Sequence, residues 1–316
     1  MTMRTMQLLS ALLALLPLPL QAQHPVDDGG GDTIVVDGQR LTRQEVRERA
    51  SGFVRTLGVV QGDRGIARWM EPVCPQVRGV ASDIAGLVEA KVRKIATSIG
   101  APLAKGECET NFLIVFVDDG REMARQVAAR KSNTMSQLHG AERRDVENGD
   151  APIRWWYTIA TGSRTGGKAD SVAPSASVGN SEGGGSALPD GVPTVNGFSS
   201  SLIRPIGIRS IDTATILIDV NRAEGISLTA AAAYAAFVGL AEVKGRAAPP
   251  VSSILNIIGD GAQAGDLTFW DNQFLDQLYD LPLNRWGRVH RGYLVRAIGE
   301  AEGEDVEEGA TGPVEP

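Results

Sequence analysis

Apolar positions along the chain alternate between helical and strand spacing, and the elements they predict follow one another in α/β fashion. "LTRQEVRERASGFVRTLG" opens with Thr42 and Glu45, a capping box, and predicts a helix to about Leu57 that Gly58 can stop. "GVASDIAGLVEAKVRKIATSIG" carries Ile84, Leu87, Val88 and Val92 at helical spacing, with Gly100 where a left-handed cap is wanted. "NFLIVFVDDG" is apolar on both faces, which suits a central strand covered on both sides. Asp118 and Asp119 then precede "REMARQVAARK", a helix whose N-terminus favours anions. A further helix is expected through "TMSQLHGAERRDVENG". In "APIRWWYTIA" the period is two, placing Ile153, Trp155, Tyr157 and Ile159 on one face and Arg154, Trp156 and Thr158 on the other.

Late in the chain, "FSSSLIRPI" and "TATILIDV" read as strands, and "TIVVDG" near the start reads as a short one. Helices are expected from Thr268 to Tyr279, with Asp271 in the first turn, and from about Asn284 to Ile298. The loop "APPVSSILNIIGDGAQAGD" precedes the first of these helices. Residues 162–197 break the pattern, since half of those 36 are Gly, Ser or Pro. Such a stretch buries too little apolar surface to offset its ordering entropy and is expected to be a flexible insertion. Strands on both sides of it predict one α/β (α+β) domain over 33–300, a mixed sheet packed with helices. A flexible lead occupies 23–32 and an acidic tail 301–316.

Two further features bear on location. Arg4 followed by "LLSALLALLPLPL" and the small-residue end "LQA" predicts a signal peptide over 1–22. Its apolar run is too short to span a bilayer comfortably. The expected site is therefore periplasmic or secreted. Without that segment and its Arg4 the formal charge moves from −7 to −8, which speaks against nucleic acid and anionic membranes as partners. In an oxidising compartment the two cysteines, Cys74 and Cys108, are expected to form a disulfide, stabilising by roughly 3–4 kcal/mol on a chain-entropy basis.

Candidate chemistry is sparse. "GNSEG" around Ser181 matches a nucleophile-elbow pattern but falls inside the Gly/Ser/Pro-rich insertion, away from the strand–turn–helix the chemistry requires. "GDGAQAGD", with Asp260 and Asp266, lacks the alternating acids and the bidentate glutamate of a calcium loop. The three histidines, His24, His139 and His290, have no histidine partner at metal-ligand spacing. Trp156, beside Arg154, offers either a stacking surface or a ring packed under a neighbouring element.

The stretch "GISLTAAAAYAAFVGLAEV" carries no charge from Gly225 to Ala241 and predicts a helix enclosed by protein. Tyr234, Phe237, Val238 and Leu240 form its bulky side. Ala232, Ala235, Ala236 and Gly239 form a smooth strip, which admits another backbone closely or leaves a groove floor bare.

This helix, then "SSILN", then "LTFWDNQFLDQLYDLP" resembles the C-terminal part of a metzincin-type zinc peptidase, over about residues 198–283. That family carries H-E-x-x-H-x-x-G-x-x-H, a methionine turn and an "LT..D...L..LY" helix. With the glycine on Gly239, the resemblance puts Ala232 and Ala236 at the first two zinc ligands and Ala233 at the general base. Glu242 falls at the third ligand and Leu255 at the turn methionine. The phrase itself is matched by Leu267, Thr268, Asp271, Leu278 and Tyr279. A methyl group has no lone pair for a metal and takes no proton from water. The pattern is also similar to that of secreted proteobacterial proteins with a degenerate version of this helix. The resemblance implies a zincin-like scaffold with no metal, no cofactor and no catalytic residues. Such a protein is expected to bind a protein or peptide partner in the cell envelope, with Arg154, Trp156 and Glu242 as candidate lining residues. A hydrolase built on Glu242 or Asp271 and a purely structural envelope protein are the alternatives.

Overall fold

The structure is a computed structural model and describes residues 41–60, 62–130, 135–163, 207–258 and 264–308. The expected signal peptide, the lead, the "TIVVDG" and "FSSSLIRPI" strands, Ser181 and Asp260 all lie outside these residues, as does most of the expected insertion.

Chain order is α1 (Arg43–Leu57), β1 (Arg68–Trp69), β2 (Pro75–Arg78), α2 (Ser82–Ser98), β3 (Phe112–Val117), α3 (Gly120–Ala129) and α4 (Gly140–Asn148). Then follow β4 (Ile153–Ser163), β5 (Gly207–Asp219), α5 (Leu228–Leu240), a 3-10 turn (Ile254–Ile257), α6 (Phe269–Asp280) and α7 (Gly287–Glu308). The five strands form one mixed sheet. β2, β3 and β5 lie side by side and parallel, β1 runs parallel to the start of β5, and β4 runs antiparallel to β5. The α/β expectation with a helix-packed mixed sheet therefore holds.

Local sequence explains the element boundaries. The capping box of Thr42 and Glu45 starts α1, and Gly58 ends it in the left-handed region at φ 64°. Asp119 accepts from the Arg121 and Glu122 N–H groups and starts α3. Thr268 and Asp271 form a second capping box on α6. One helix is shorter than its pattern predicts: α4 begins at Gly140, not near Thr134. Gly140 has φ 52°, a left-handed value that a right-handed helix does not pass through, so His139 becomes the N-cap. β4 continues through Ser163, into the Gly/Ser-rich stretch, and α7 continues through Glu308, into the acidic tail.

The sheet divides the interior unequally. The large core lies on the face that receives Ile153, Trp155 and Tyr157, and takes in α1, α2, α5, α6 and α7. On the other face a small cluster joins Trp156 and Leu217 to Ala124 of α3, Met135, Leu138 and Val146 of α4. The period-two reading of β4 thus gives the correct faces. Leu87, expected on the buried stripe of α2, is instead exposed, and Val88, Val92, Ile95 and Ala96 carry the packing.

Every residue of α5 from Ala230 to Leu240 is buried. Its small-residue strip is filled rather than open. A Cβ on Gly239 would fall 2.1 Å from the ring of Phe112, so glycine there is what lets β3 and α5 approach. Cys74 and Cys108 stand at disulfide distance, with Cα atoms 6.0 Å apart, and clip the chain between β2 and β3.

Candidate functional site

The four carbonyls at the end of an α-helix have no intrahelical donor, and burying them unpaired is costly. α5 ends deep in the protein, and aromatic side chains from three other elements meet these carbonyls. Trp69 Nε1 donates to Gly239 O at 2.8 Å, and the Tyr279 hydroxyl to Leu240 O at 2.9 Å. The Tyr157 hydroxyl accepts from Val243 N at 3.1 Å and gives its one proton to Val238 O or Ala241 O, 2.5 and 2.9 Å away. Burial raises the Tyr157 phenol well above its ordinary range, which keeps that proton in place. Trp155 Nε1 continues the pattern with Val243 O at 2.7 Å.

The segment leaving α5 is fixed as firmly. Lys244 N and Gly245 N both donate to Leu57 O at the end of α1, at 3.0 and 2.9 Å. A Cβ on Gly245 would fall 1.6 Å from Thr56 O, so only glycine permits this contact. Glu242 and Lys244 are thereby held at one end of α5.

There they line a cavity of about 230 Å³ with Arg64, Tyr157, Arg209 and the run Gln137–Leu138–His139 leading to Glu142. Glu242 is only 3 % exposed. Its Oε1 takes Arg209 Nη2 at 2.7 Å and lies 3.7 Å from Lys244 Nζ. The same ammonium reaches Glu142 at 3.3 Å. Arg209 is itself fixed by Gly65 O at 2.9 Å. By contrast, Glu242 Oε2 is buried and has no hydrogen-bond partner. A buried polar atom left unpaired costs about 1–3 kcal/mol, so one that persists calls for a reason. Beside the cavity, Gln137 pairs through its amide with both the N–H and the C=O of Ile159, at 2.9 and 3.0 Å. It takes the place of a neighbouring strand on β4.

The three residues expected to line a site are not brought together. Trp156 is packed under α3 and α4 in the small cluster, on the sheet face opposite Tyr157. Arg154 is fully buried on that same face, donating to Gly149 O, with Nε and Nη1 unpaired. Its Nη1 stands 2.7 Å from where a Cβ on Gly120 would be, with Asp219 adjoining. Burial lowers its guanidinium, and the neighbouring Asp219 carboxylate opposes that shift. Only Glu242 lines the cavity.

Carboxyl ends of parallel strands are a common place for ligands in α/β sheets. Here that place is closed by the chain itself. Gly120 N is taken by Asp219 Oδ2 at 2.9 Å, and the next two N–H groups by Asp119.

The positions aligned with a zinc site, Ala232, Ala233 and Ala236, are core residues, none more than 2 % exposed. Leu255 lies in the 3-10 turn that packs against α5. Asp271, fully buried, ties that turn to α6: it accepts from Ser253 Oγ at 2.6 Å, Ile254 N at 2.7 Å, and Thr268 N and Oγ1 at 2.9 Å each. Burial pushes its carboxyl up, and the four donors only partly offset this. His290 Nδ1 accepts from Ile66 N at 3.1 Å, so Nε2 carries the proton and donates to Pro282 O at 3.0 Å. Both ring nitrogens are thus occupied. Asp266 pairs with Lys91. Among the described residues no three His, Cys, Asp or Glu side chains come together as a metal-binding group.

Arg64, Gln137, Glu142, Tyr157, Arg209 and Lys244 carried no sequence signal for this role. They come from separate segments, and the one local hint is that the long uncharged run ends at Glu242 and Lys244. No protein-family model matches the chain, and no curated protein or solved structure matches it either.

Proposed function

We propose that this chain is an exported binding protein on a zincin-like scaffold that lacks a hydrolytic metal centre, and that its ligand enters the cavity at the end of α5. The observation that carries this reading is Glu242: a buried carboxylate with one oxygen ion-paired and the other unpaired, in the wall of a cavity. Natural cores satisfy most such groups, through a protein partner, an ordered water or a bound ligand. The scaffold likeness is supported by the turn holding Leu255 beneath α5 and by its anchor, Asp271 of the "LT..D" phrase. Export is supported by the Cys74–Cys108 pair. A cavity near 230 Å³ is below the usual 300–1,000 Å³ of drug-sized sites and fits a small molecule better than a protein partner.

A second reading is favoured by one observation: Glu142 and Glu242 share the Lys244 ammonium, so two carboxylates do flank one cavity. Each is ion-paired, an arrangement suited to recognition more than to the split acid and base roles of a hydrolytic pair.

Thermal-shift screening of the purified chain with small polar metabolites, beside peptide and glycoside hydrolysis assays with and without added zinc, tests both. The binding reading expects at least one metabolite to raise Tm in wild type and not in Glu242→Ala, with no turnover. Turnover abolished by Glu142→Gln or Glu242→Gln would establish the hydrolase instead. Zinc-dependent peptide cleavage would contradict both.

A further inference from the structure

Helix α2 turns one face away from the core, and Leu87 stands on it. Leu87 is 63 % exposed, more than Met70 or Val220, the other large hydrophobic side chains exposed among the described residues. Gly86 beside it lies in the interior of the helix, where glycine is less stable than alanine. A Cβ there would meet nothing within 4 Å, so no close approach within the described chain calls for glycine. Asp83, Ala90 and Lys94 are exposed as well. At about 100° per residue, these five positions fall within one arc of about 100°. α2 carries five charged residues, and three of them are engaged. Glu89 accepts from Val77 N at 2.8 Å, Lys91 pairs with Asp266, and Arg93 donates to Ala104 O at 3.2 Å. The other two, Asp83 and Lys94, lie on the face of Leu87 and have no ion-pair partner among the described residues. A single exposed leucine needs no explanation, but one set between opposite charges at matching distances points to a partner.

We propose that this face joins two copies of the chain, α2 packing antiparallel against α2 about a two-fold axis. Pairing position 83 with 94 and position 87 with 90 has one common centre, so a single antiparallel register makes both pairings twice. Asp83 of each copy then meets Lys94 of the other, and Leu87 of each meets Ala90 of the other, with the uncovered backbone of Gly86 beside it. The contact is self-complementary, as a two-fold interface requires. A parallel arrangement would set Asp83 against Asp83 and Lys94 against Lys94. One helix face per copy is a small interface beside the roughly 800 Å² per partner of a stable complex, so the dimer is weak and reversible.

Sedimentation velocity of the purified chain at low salt, from micromolar to millimolar concentration, tests this. A monomer–dimer equilibrium is expected, weakened at least tenfold by Leu87→Arg. Asp83→Lys alone and Lys94→Asp alone should each weaken it by a similar factor, because like charges then face each other. Mixed in equal amounts, these two variants should associate again, since every facing pair of charges is once more of opposite sign. All the substituted side chains are exposed, and each variant should keep the circular dichroism of wild type. A chain that stays monomeric at millimolar concentration overturns the proposal. So does a dimer indifferent to Leu87→Arg, which places the interface elsewhere. Failure of the two folded charge variants to associate on mixing rules out the antiparallel register and overturns it as well.

Discussion

Asp271 and Glu242 are two carboxylates buried to nearly the same degree, one at each end of the neighbourhood of α5, and their surroundings could hardly differ more. Asp271 receives four hydrogen bonds and joins the Ser253–Ile254 turn to the first turn of α6. Every donor it meets comes from two segments, the 253–254 turn and Thr268. Glu242, a residue in the wall of a cavity, receives one hydrogen bond from Arg209, leans on a lysine shared with Glu142, and keeps one buried oxygen unpaired. Burial alone therefore says little about role. Saturation of the acceptor positions separates a group that holds the fold together from one kept available.

Substitutions sharpen this contrast. The largest effect is expected at Asp271: an amide in Asp271→Asn must turn an NH₂ toward one of four donors, breaking a buried network at about 3 kcal/mol. Denaturant unfolding should show the loss, and Tm should fall by roughly 6–12 °C. Gly239→Ala probes the packing that fills the small-residue strip. Its methyl meets the Phe112 ring, and a cost of about 1–3 kcal/mol is expected by the same measurement. A bare groove at that strip would predict no loss at all. Tyr157→Phe removes the hydroxyl that serves the end of α5 and should cost about 1–2 kcal/mol.

His290 belongs with Asp271 among the saturated groups, and pH reveals it. Burial lowers its imidazole below the usual 6.5, with Arg68 and Arg285 acting in the same direction against the bond to Pro282. The unfolded chain then binds the proton first. Its contribution to stability is present above pH 6.5 and is lost as pH falls from 6.5 through the lowered folded value. His290→Gln should flatten the slope of unfolding free energy against pH in that window. An unchanged slope would remove His290 from the account. A smaller effect on stability is expected at Glu242→Gln than at Asp271→Asn, because the amide oxygen still accepts from Arg209 and the second oxygen has no hydrogen bond to lose. If Glu242→Gln proved as damaging as Asp271→Asn, the distinction between the two carboxylates would be gone.

The helix caps and the faces of β4 were legible in the sequence, and neither the bonds that saturate Asp271 and His290 nor the cavity were, for physical reasons. Capping boxes at Thr42–Glu45 and Thr268–Asp271 lie within four residues, and the Asp119 cap within three. The alternation from Ile153 to Ile159 is imposed by the pleat of a single strand. Such signals are local and survive in one dimension. Arg64, His139, Tyr157, Arg209 and Glu242 meet only because the sheet and α5 bring distant segments together, and no spacing encodes that. Arg154 and Trp156 illustrate the converse error. A strand's period places them on a shared face, but it does not say that α3 and α4 cover that face. Likewise the apolar spacing of α2 marks Leu87 as core, although it is exposed. The alanine strip read equally well as a groove floor or a packing surface, and the Phe112 ring on Gly239 decides for packing.

The central claim is that the cavity at the end of α5, with Glu242 in its wall, is where a ligand binds. Backbone amide chemical shifts of the ¹⁵N-labelled chain, followed as a metabolite that raises Tm in the thermal-shift screen is added, bear on it most directly. The account predicts saturable shifts confined to Gly140, Ala141 and the Glu242–Lys244 segment, and their loss at Glu242 and Lys244 in Glu242→Gln. No shift at millimolar metabolite, or shifts around Asp271 rather than around Glu242, would contradict it.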